Sequence, residues 1–266
     1  MHALSSCPPA RLRPLVGLLT DIDDTLTADG AIAPAALQAL FDLHAAGVPV
    51  IAITGRPSGW SEPFALAWPV KAIVAENGAV MLRRRADGGL QRDFTQDAAT
   101  RAENFERLQR CAADLLLRVP GCQLASDSAG RLTDIAVDHS EHAHLAPAQI
   151  EAVCAVMREH GLQATVSSIH INGWIGAHNK WTAAQWAVPE LTGKPFVAED
   201  WLYVGDSSND QIMFAHMPHS VGVANIARFV PQLQSLPGFV TEAERGDGFA
   251  ELARAVLSAK QNCPTD

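Results

Sequence analysis

Residues 15–20 are almost wholly apolar, and the chain then runs straight into Asp21-Ile22-Asp23-Asp24. A strand buried on both faces reads this way where it leaves a sheet at its C-terminal edge, because the interior accepts aliphatic side chains but not unpaired carboxylates. The rhythm then repeats. Residues 34–46 place Leu37, Leu40, Phe41 and His44 at helical spacing, with Pro34 in the first turn and Gly47 just past the last. Residues 48–53 form a second apolar run that ends in Thr54-Gly55-Arg56, and residues 72–75 a third that ends in Glu76-Asn77-Gly78. Strand, helix, strand in this order predicts a parallel sheet. Residues 79–84 and 90–94 flank Ala86-Asp87-Gly88-Gly89, which is a hairpin signal.

Between about residues 95 and 174 the pattern changes. A polar amphipathic helix over 104–117, a strand-like 132–137 and a helix over 147–160 follow one another; in the last, Ile150, Val153, Cys154 and Met157 share a face and Gly161 stops it. The first pattern then resumes, with apolar runs at 201–204, ending in Gly205-Asp206, at 220–223 and at 238–241, before a helix over 248–259. The expected fold is α/β: a doubly wound parallel-sheet core from residues 1–94 and 175–266, interrupted by an inserted α+β module at 95–174. A length of 266 residues suits two modules better than one.

Composition narrows the function. The formal charge of -9 disfavours a nucleic-acid backbone as partner, since such binding needs a basic surface. No stretch approaches the roughly 20 apolar residues of a membrane span, and residues 1–14 lack the apolar run of a signal peptide. Cys7, Cys111, Cys122, Cys154 and Cys263 form an odd set with no CxxC spacing, so reduced thiols in the cytoplasm are expected rather than disulfides or a thiolate zinc site. His139, His142 and His144 read as a solvated helix start, not as zinc ligands.

Four segments are expected to stand at the C-terminal ends of separate strands: Asp21 to Thr25, Thr54-Gly55-Arg56, Lys180, and Gly205-Asp206-Ser207-Ser208-Asn209-Asp210. Ligands bind at that edge of an open parallel sheet, so distant residues converge there. Transfer of a phosphoryl group needs a nucleophile, a proton donor for the leaving oxygen and positive charge on the equatorial oxygens. Asp21 can attack phosphorus and give an acyl phosphate. Asp23, two residues on, can protonate the departing oxygen and later take a proton from water. So many carboxylates repel one another unless a divalent ion neutralises them, and Mg²⁺ suits an all-oxygen set. Asp21 and Asp206 are the expected direct ligands, with Asp23 through its backbone carbonyl and Asp210 directly or through water. Lys180, just before a helix over 181–188, supplies fixed charge, and Thr54 a hydroxyl for phosphate oxygens.

These residues resemble the haloacid dehalogenase (HAD) superfamily of phosphatases, whose four motifs read DxDxT, Thr or Ser, Lys and GDxxND. Here they are Asp21-Ile22-Asp23-Asp24-Thr25, Thr54, Lys180 and Gly205 to Asp210, in the family's order. Glu76-Asn77-Gly78 and an insertion between the second and third motifs make the chain similar to the Cof-type branch with a C2 cap. That branch includes sucrose-phosphate, trehalose-phosphate and mannosyl-phosphoglycerate phosphatases. The resemblance implies a Rossmann-like core, a Mg²⁺-dependent phosphatase, Asp21 as nucleophile and Asp23 as acid and base. Two positions depart from relatives: Asp24 and Ser207 stand where Gly is common.

The expected substrate is a small phosphomonoester, such as a sugar phosphate. Gly55, Arg56 and Asn209 from the core, and Arg131, His170 and Asn172 with Trp174 from the insertion, are the candidate substrate contacts. Arg56 reads equally well as a phosphate anchor and as a partner of a core carboxylate. Glu76-Asn77-Gly78 reads equally well as a turn and as a substrate contact. A sugar phosphomutase with the same nucleophile, and a sugar-phosphate binding module without catalysis, are the alternatives. Oligomeric state has no signal in the sequence.

Overall fold

A computed structural model describes residues 1–261; Cys263 lies outside the described residues. The chain opens with β1 (His2–Ala3) and a single helical turn, α1 (Pro9–Leu12), before β2 (Gly17–Thr20). A small flap of β3 (Thr27–Ala28) and β4 (Ala31–Ile32) follows the Asp21 segment, and α2 (Pro34–Ala45) crosses over to β5 (Val50–Ile53). Next come α3 (Ser58–Ala67), β6 (Ala72–Ala75) and the hairpin β7 (Val80–Arg84) and β8 (Leu90–Phe94). The insertion contributes α4 (Ala98–Arg118), β9 (Asp134–Asp138), α5 (Pro147–Glu159), β10 (Gln163–Val166) and β11 (His170–Trp174). The core resumes with α6 (Lys180–Thr192), β12 (Trp201–Gly205), α7 (Gln211–His216), β13 (Ser220–Gly222), β14 (Phe239–Val240) and α8 (Arg245–Gln261).

The central sheet has nine strands in the order β1-β14-β13-β12-β2-β5-β6-β7-β8. Every pairing from β1 to β6 is parallel, and only the hairpin at the far edge is antiparallel. Strand side chains alternate between the two faces. Leu18, Val50, Ala52, Ile73, Leu202 and Val204 pack with α2, α3 and α8, whereas Leu19, Ile51, Ile53, Val74 and Tyr203 pack with α6 and α7. Helices on both faces explain why these strands read as unbroken apolar runs rather than as alternating ones.

The insertion forms a three-stranded antiparallel sheet, β10-β11-β9, backed by α4 and α5. Its own apolar cluster joins Leu108, Cys111, Leu115, Val137, Val153, Met157 and Ile171. The fold is therefore α/β with a capped, mostly parallel sheet. The strand at 132–137 begins two residues later than the sequence pattern indicates, and the helix at 104–117 starts six residues earlier, where Asp97 accepts a hydrogen bond from the Thr100 amide. The sequence pattern passes over α3, which carries Gly59 and an internal Pro63, and over the flap strands, which are too short to show a period.

Several contacts join cap and core, three of them just beyond the ends of β5 and β6. Glu76, buried at the end of β6, accepts hydrogen bonds from the amides of Ser58, Leu132 and Thr133 and from the Thr133 hydroxyl. Its backbone, like that of Asn77, lies in the left-handed region, at φ 52° and 56°. Gly59 and Gly130 meet backbone to backbone, so that a Cβ on Gly59 would come within 2.8 Å of the Gly130 Cα. Asn172 and Arg131 both donate to the Gly55 carbonyl, at 3.1 and 3.0 Å. Four cysteines, at 7, 111, 122 and 154, are free thiols. Among the described residues, no helix is long and apolar enough to cross a membrane.

Candidate active site

Parallel strands β2, β5, β6 and β12 point their C-terminal ends the same way, and each hands its next residues to one cleft beneath the cap. Carboxylate oxygens of Asp21, after β2, and of Asp206 and Asp210, after β12, lie within 4.8 Å of one another, and all three side chains are buried. Lys180 projects into this group. Its Nζ is 2.8 Å from Asp21 Oδ1, 2.7 Å from Asp210 Oδ1 and 3.4 Å from Asn209 Oδ1. Lys180 does not follow a strand of the core sheet, as the order of segments had indicated; it is the first residue of α6, which Asn179 caps by accepting from the Trp181 and Thr182 amides. The cap turns the chain back into the core there, so a helix start rather than a strand end delivers the lysine.

Asp210 has no free acceptor facing the cleft. Its Oδ1 accepts from Lys180 and from the Tyr203 hydroxyl, and its Oδ2 from the amides of Asp206 and Ser207. A Cβ at residue 205 would overlap this carboxylate, which explains the glycine in Gly205-Asp206. Asp206 is different. Its Oδ2 accepts from Asn225 at 3.1 Å, but its Oδ1 is buried with no hydrogen-bond partner. A buried carboxylate oxygen without a donor is costly unless a cation supplies the charge. The set Asp21 and Asp206, backed by Asp210, therefore fits a hard divalent ion.

Electrostatics agree with that fit. Burial lifts the Asp21 carboxyl to about 7, against the pull of Lys180 and with the push of Asp210 and Asp23. Asp206 is pushed well above the usual carboxylate range by burial and by the neighbouring Asp210, Asp21 and Asp24. Burial works against the charge on Lys180, yet Asp21 and Asp210 outweigh it and raise the ammonium above its ordinary value. A divalent ion bound there would hold these carboxylates ionised.

Asp23 faces a cavity of about 330 Å³ between the flap, the cap loops, Arg228 beyond β13 and Arg245 at the start of α8. Its Oδ1 accepts from Arg56 Nε at 2.9 Å, and burial raises its carboxyl while Arg56 pulls it down. That pairing takes one of the two carboxylate oxygens of Asp23. Arg56 is wholly engaged by carboxylates: beyond Asp23, its Nη1 donates to Asp127 at 3.2 Å and its Nη2 to Glu141 at 2.8 Å, both in the cap. Of the two readings open in the sequence, the structure realises the carboxylate partner. Thr54 is buried beside it, and its hydroxyl oxygen accepts from the Arg56 amide at 3.0 Å, leaving the hydroxyl hydrogen free.

The candidate cap contacts spend most of their polar atoms on protein. Arg131 pairs with Asp134 at 2.9 Å and Asp127 at 3.1 Å, Asn172 donates to Asp134 and to Gly55, and both are buried at the joint. His170 Nε2 meets Glu141 Oε2 at 2.9 Å, so it steadies the carboxylate that holds Arg56. That contact is the leading cause that brings Glu141 down to about 2. Trp174 is 3% exposed and donates to the His178 carbonyl, with the His178 ring tilted 5.7 Å away. Gly55 is packed under Asn172 and Asn77. His139, His142 and His144 form no cluster with other metal-ligating side chains among the described residues. The loop that carries them is instead tied by Asp138, which accepts from the amides of Glu141, His142 and Ala143.

Sequence reasoning missed Asn225, Arg228, Arg245 and Tyr203. Asn225 had a signal, since it lies just beyond β13 on the same sheet edge as Asp206; its amide donates to both the Asp24 carbonyl and Asp206. Arg228 and Arg245 had none, because only the folded chain brings them to Asp24, at 2.8 and 3.0 Å.

A family model described as haloacid dehalogenase-like hydrolase matches residues 18–111. No curated protein matches the chain. Among solved structures, a Thermoplasma acidophilum protein superposes with a TM-score of 0.68 at 18% identity, covering 91% of this chain and 99% of that one. The sucrose-phosphatase from Synechocystis, solved with sucrose and phosphate, gives 0.65 at 18% identity over 92% and 98%. A trehalose-6-phosphate phosphatase related protein gives 0.60 at 15% identity over 92% and 100%.

Proposed function

We propose that this chain, a haloacid dehalogenase-like hydrolase, is a Mg²⁺-dependent phosphatase that hydrolyses a small phosphomonoester through an aspartyl-phosphate on Asp21. The single observation that carries the reading is the contact of Asp21 with Lys180 inside a buried carboxylate cluster that also holds an unpartnered Asp206 oxygen. Asp21 and Asp206 side chains with the Asp23 carbonyl would hold the ion, and Asp210 would stand behind them. Bound there, Mg²⁺ supplies the charge that keeps these carboxylates ionised and offsets the phosphate oxygens.

The chain's own residues do the rest. An oxygen of Asp21 attacks phosphorus, the ester P–O bond breaks, and Asp23 gives its proton to the leaving alcohol oxygen. A water then attacks the acyl phosphate, its proton passes to Asp23, and inorganic phosphate leaves as Asp21 is restored. Lys180 and the Thr54 hydroxyl orient and neutralise the phosphate oxygens. Arg56 sets the direction of Asp23 while its other two nitrogens hold the cap, which we take as residues 95–174. Gly55 and Asn209 complete the floor of the cleft. A sugar phosphate is the substrate class favoured by the fold's likeness to sucrose-phosphatase.

Phosphate release from a panel of phosphomonoesters, with Mg²⁺ and with chelator, tests the reading. Sustained release with Mg²⁺ alone is expected, and isomer formation without phosphate would make the protein a phosphomutase instead. For Asp23→Asn the expected loss is severe with alkyl esters and mild with activated aryl esters, whose leaving groups need little protonation. Equal loss on both would remove Asp23 from the acid's role. A non-catalytic binding module would bind such esters and release nothing.

A further inference from the structure

Asp24 and Arg245 are both held in left-handed backbone, at φ 54° and 51°, although neither is a glycine. Both line the cavity beside Asp23, and they touch there, with Arg245 Nε 3.0 Å from Asp24 Oδ1. Strain of this kind persists only where the surroundings enforce it, and it clusters where a ligand is held. The enforcing group here is Asn225. It accepts from the Arg245 amide at 2.9 Å and donates to the Asp24 carbonyl at 3.0 Å, so one side chain fixes both strained residues.

The result is an uneven charge arrangement. Arg228 Nη2 reaches the other oxygen of Asp24 at 2.8 Å, so a single carboxylate stands between two guanidinium groups. Arg228 also comes within 3.4 Å of Asp206, the residue proposed for the metal. The terminal nitrogens of Arg245 have no protein partner among the described residues, and its Nε, near as it is to Asp24, makes no well-formed hydrogen bond. Across the cavity the Ser168 hydroxyl is likewise buried without a partner. Of the other carboxylates lining the cavity, Asp23 and Glu141 each give one oxygen to Arg56. Asp29, on the flap, is the remaining acid of the lining. In a chain of charge -9, donors left open on two guanidinium groups around one carboxylate form a local anion-binding wall.

We propose that Arg245 and Arg228 bind a second anionic group on the substrate, so that the preferred ester carries a carboxylate or a second phosphate besides the phosphoryl group that Asp21 takes. This inference rests on the phosphatase reading and narrows its substrate class. Asp24 holds the two arginines apart and aimed, and the Ser168 hydroxyl meets the same group from the cap.

Matched pairs of substrates test it. 3-Phosphoglycerate and glycerol 3-phosphate differ in a carboxylate against an alcohol, and fructose 1,6-bisphosphate and fructose 6-phosphate in a second phosphate. The wild-type enzyme with Mg²⁺ is expected to show a kcat/KM about tenfold or more higher for the anionic member of one pair, as a charge-assisted contact provides. The pair that shows it identifies the group. Arg245→Gln is expected to collapse that ratio, through KM of the anionic ester, and Arg245→Lys to retain part of it. A ratio near one in the wild type overturns the proposal without any variant, as does an unchanged ratio in Arg245→Gln. Phosphate release without preference sinks this inference alone. No release from any of the four, nor from other phosphomonoesters, would take the phosphatase reading down with it.

Discussion

Lys180 Nζ stands 2.8 Å from Asp21 Oδ1, at the start of a helix that the chain reaches only after building the whole cap. The lysine is 2% exposed and holds Asp21 and Asp210 at once. Removing its charge leaves two buried carboxylates facing each other.

Lys180→Met should therefore unfold more easily by about 3–5 kcal/mol, the usual cost of breaking one side of a buried ion pair. Denaturant melts in chelator measure this without help from a cation. A melt within about 1 kcal/mol of wild type would mean that Lys180 is not the counter-charge of the cluster.

A second expectation concerns Glu76, which takes bonds from the Leu132 and Thr133 amides and the Thr133 hydroxyl. Glu76→Gln keeps the shape but loses the charge and turns one acceptor into a donor. Hydrogen bonds to charged groups contribute about 1.5–3 kcal/mol each, so the cap joint should loosen by at least the lower figure. Hydrogen exchange at the amides of residues 132 and 133 should speed up while that of β12 stays slow. Unchanged exchange there would refute the role of Glu76 as the joint.

The pH dependence of stability carries a third. Burial pushes the His178 imidazole down to about 4 from 6.5, so between those values the unfolded chain binds a proton that the folded chain refuses. Its contribution to stability is present above pH 6.5 and is lost as pH falls towards 4. Asp21 and Asp134, lifted to about 7 by burial, tilt the wild-type curve the other way, so His178 is read as a difference. His178→Gln should lose less stability than wild type between pH 6.5 and 4. Parallel curves would show that the imidazole is protonated in the folded protein.

The sheet was legible because burial on both faces leaves unbroken apolar runs, and each run that ended in Asp21, Thr54, Glu76 or Asp206 is a parallel strand of the core. Helix α3 was not, because Gly59 and Pro63 interrupt its pattern and the packing of Trp60, Phe64 and Ala65 decides its state. Within the site, residue types were visible but partners were not. Arg56 could have faced phosphate; three carboxylates from two parts of the chain claim it instead. Arg131 and Asn172 look like ligand contacts on a strand pattern, yet Gly55 and Asp134 use their donors. Asp24 departs from the glycine common at its position, but nothing in the string joins it to Arg228 and Arg245.

In the proposed mechanism Asp21 itself carries the phosphoryl group. Rapid acid quench within one turnover, using substrate labelled in its phosphoryl group and Mg²⁺, followed by peptide mapping, tests it directly. Label is expected on the peptide that contains Asp21, released by hydroxylamine and absent from Asp21→Asn. Full-rate phosphate production with no label on the protein, or label on another residue, would contradict it.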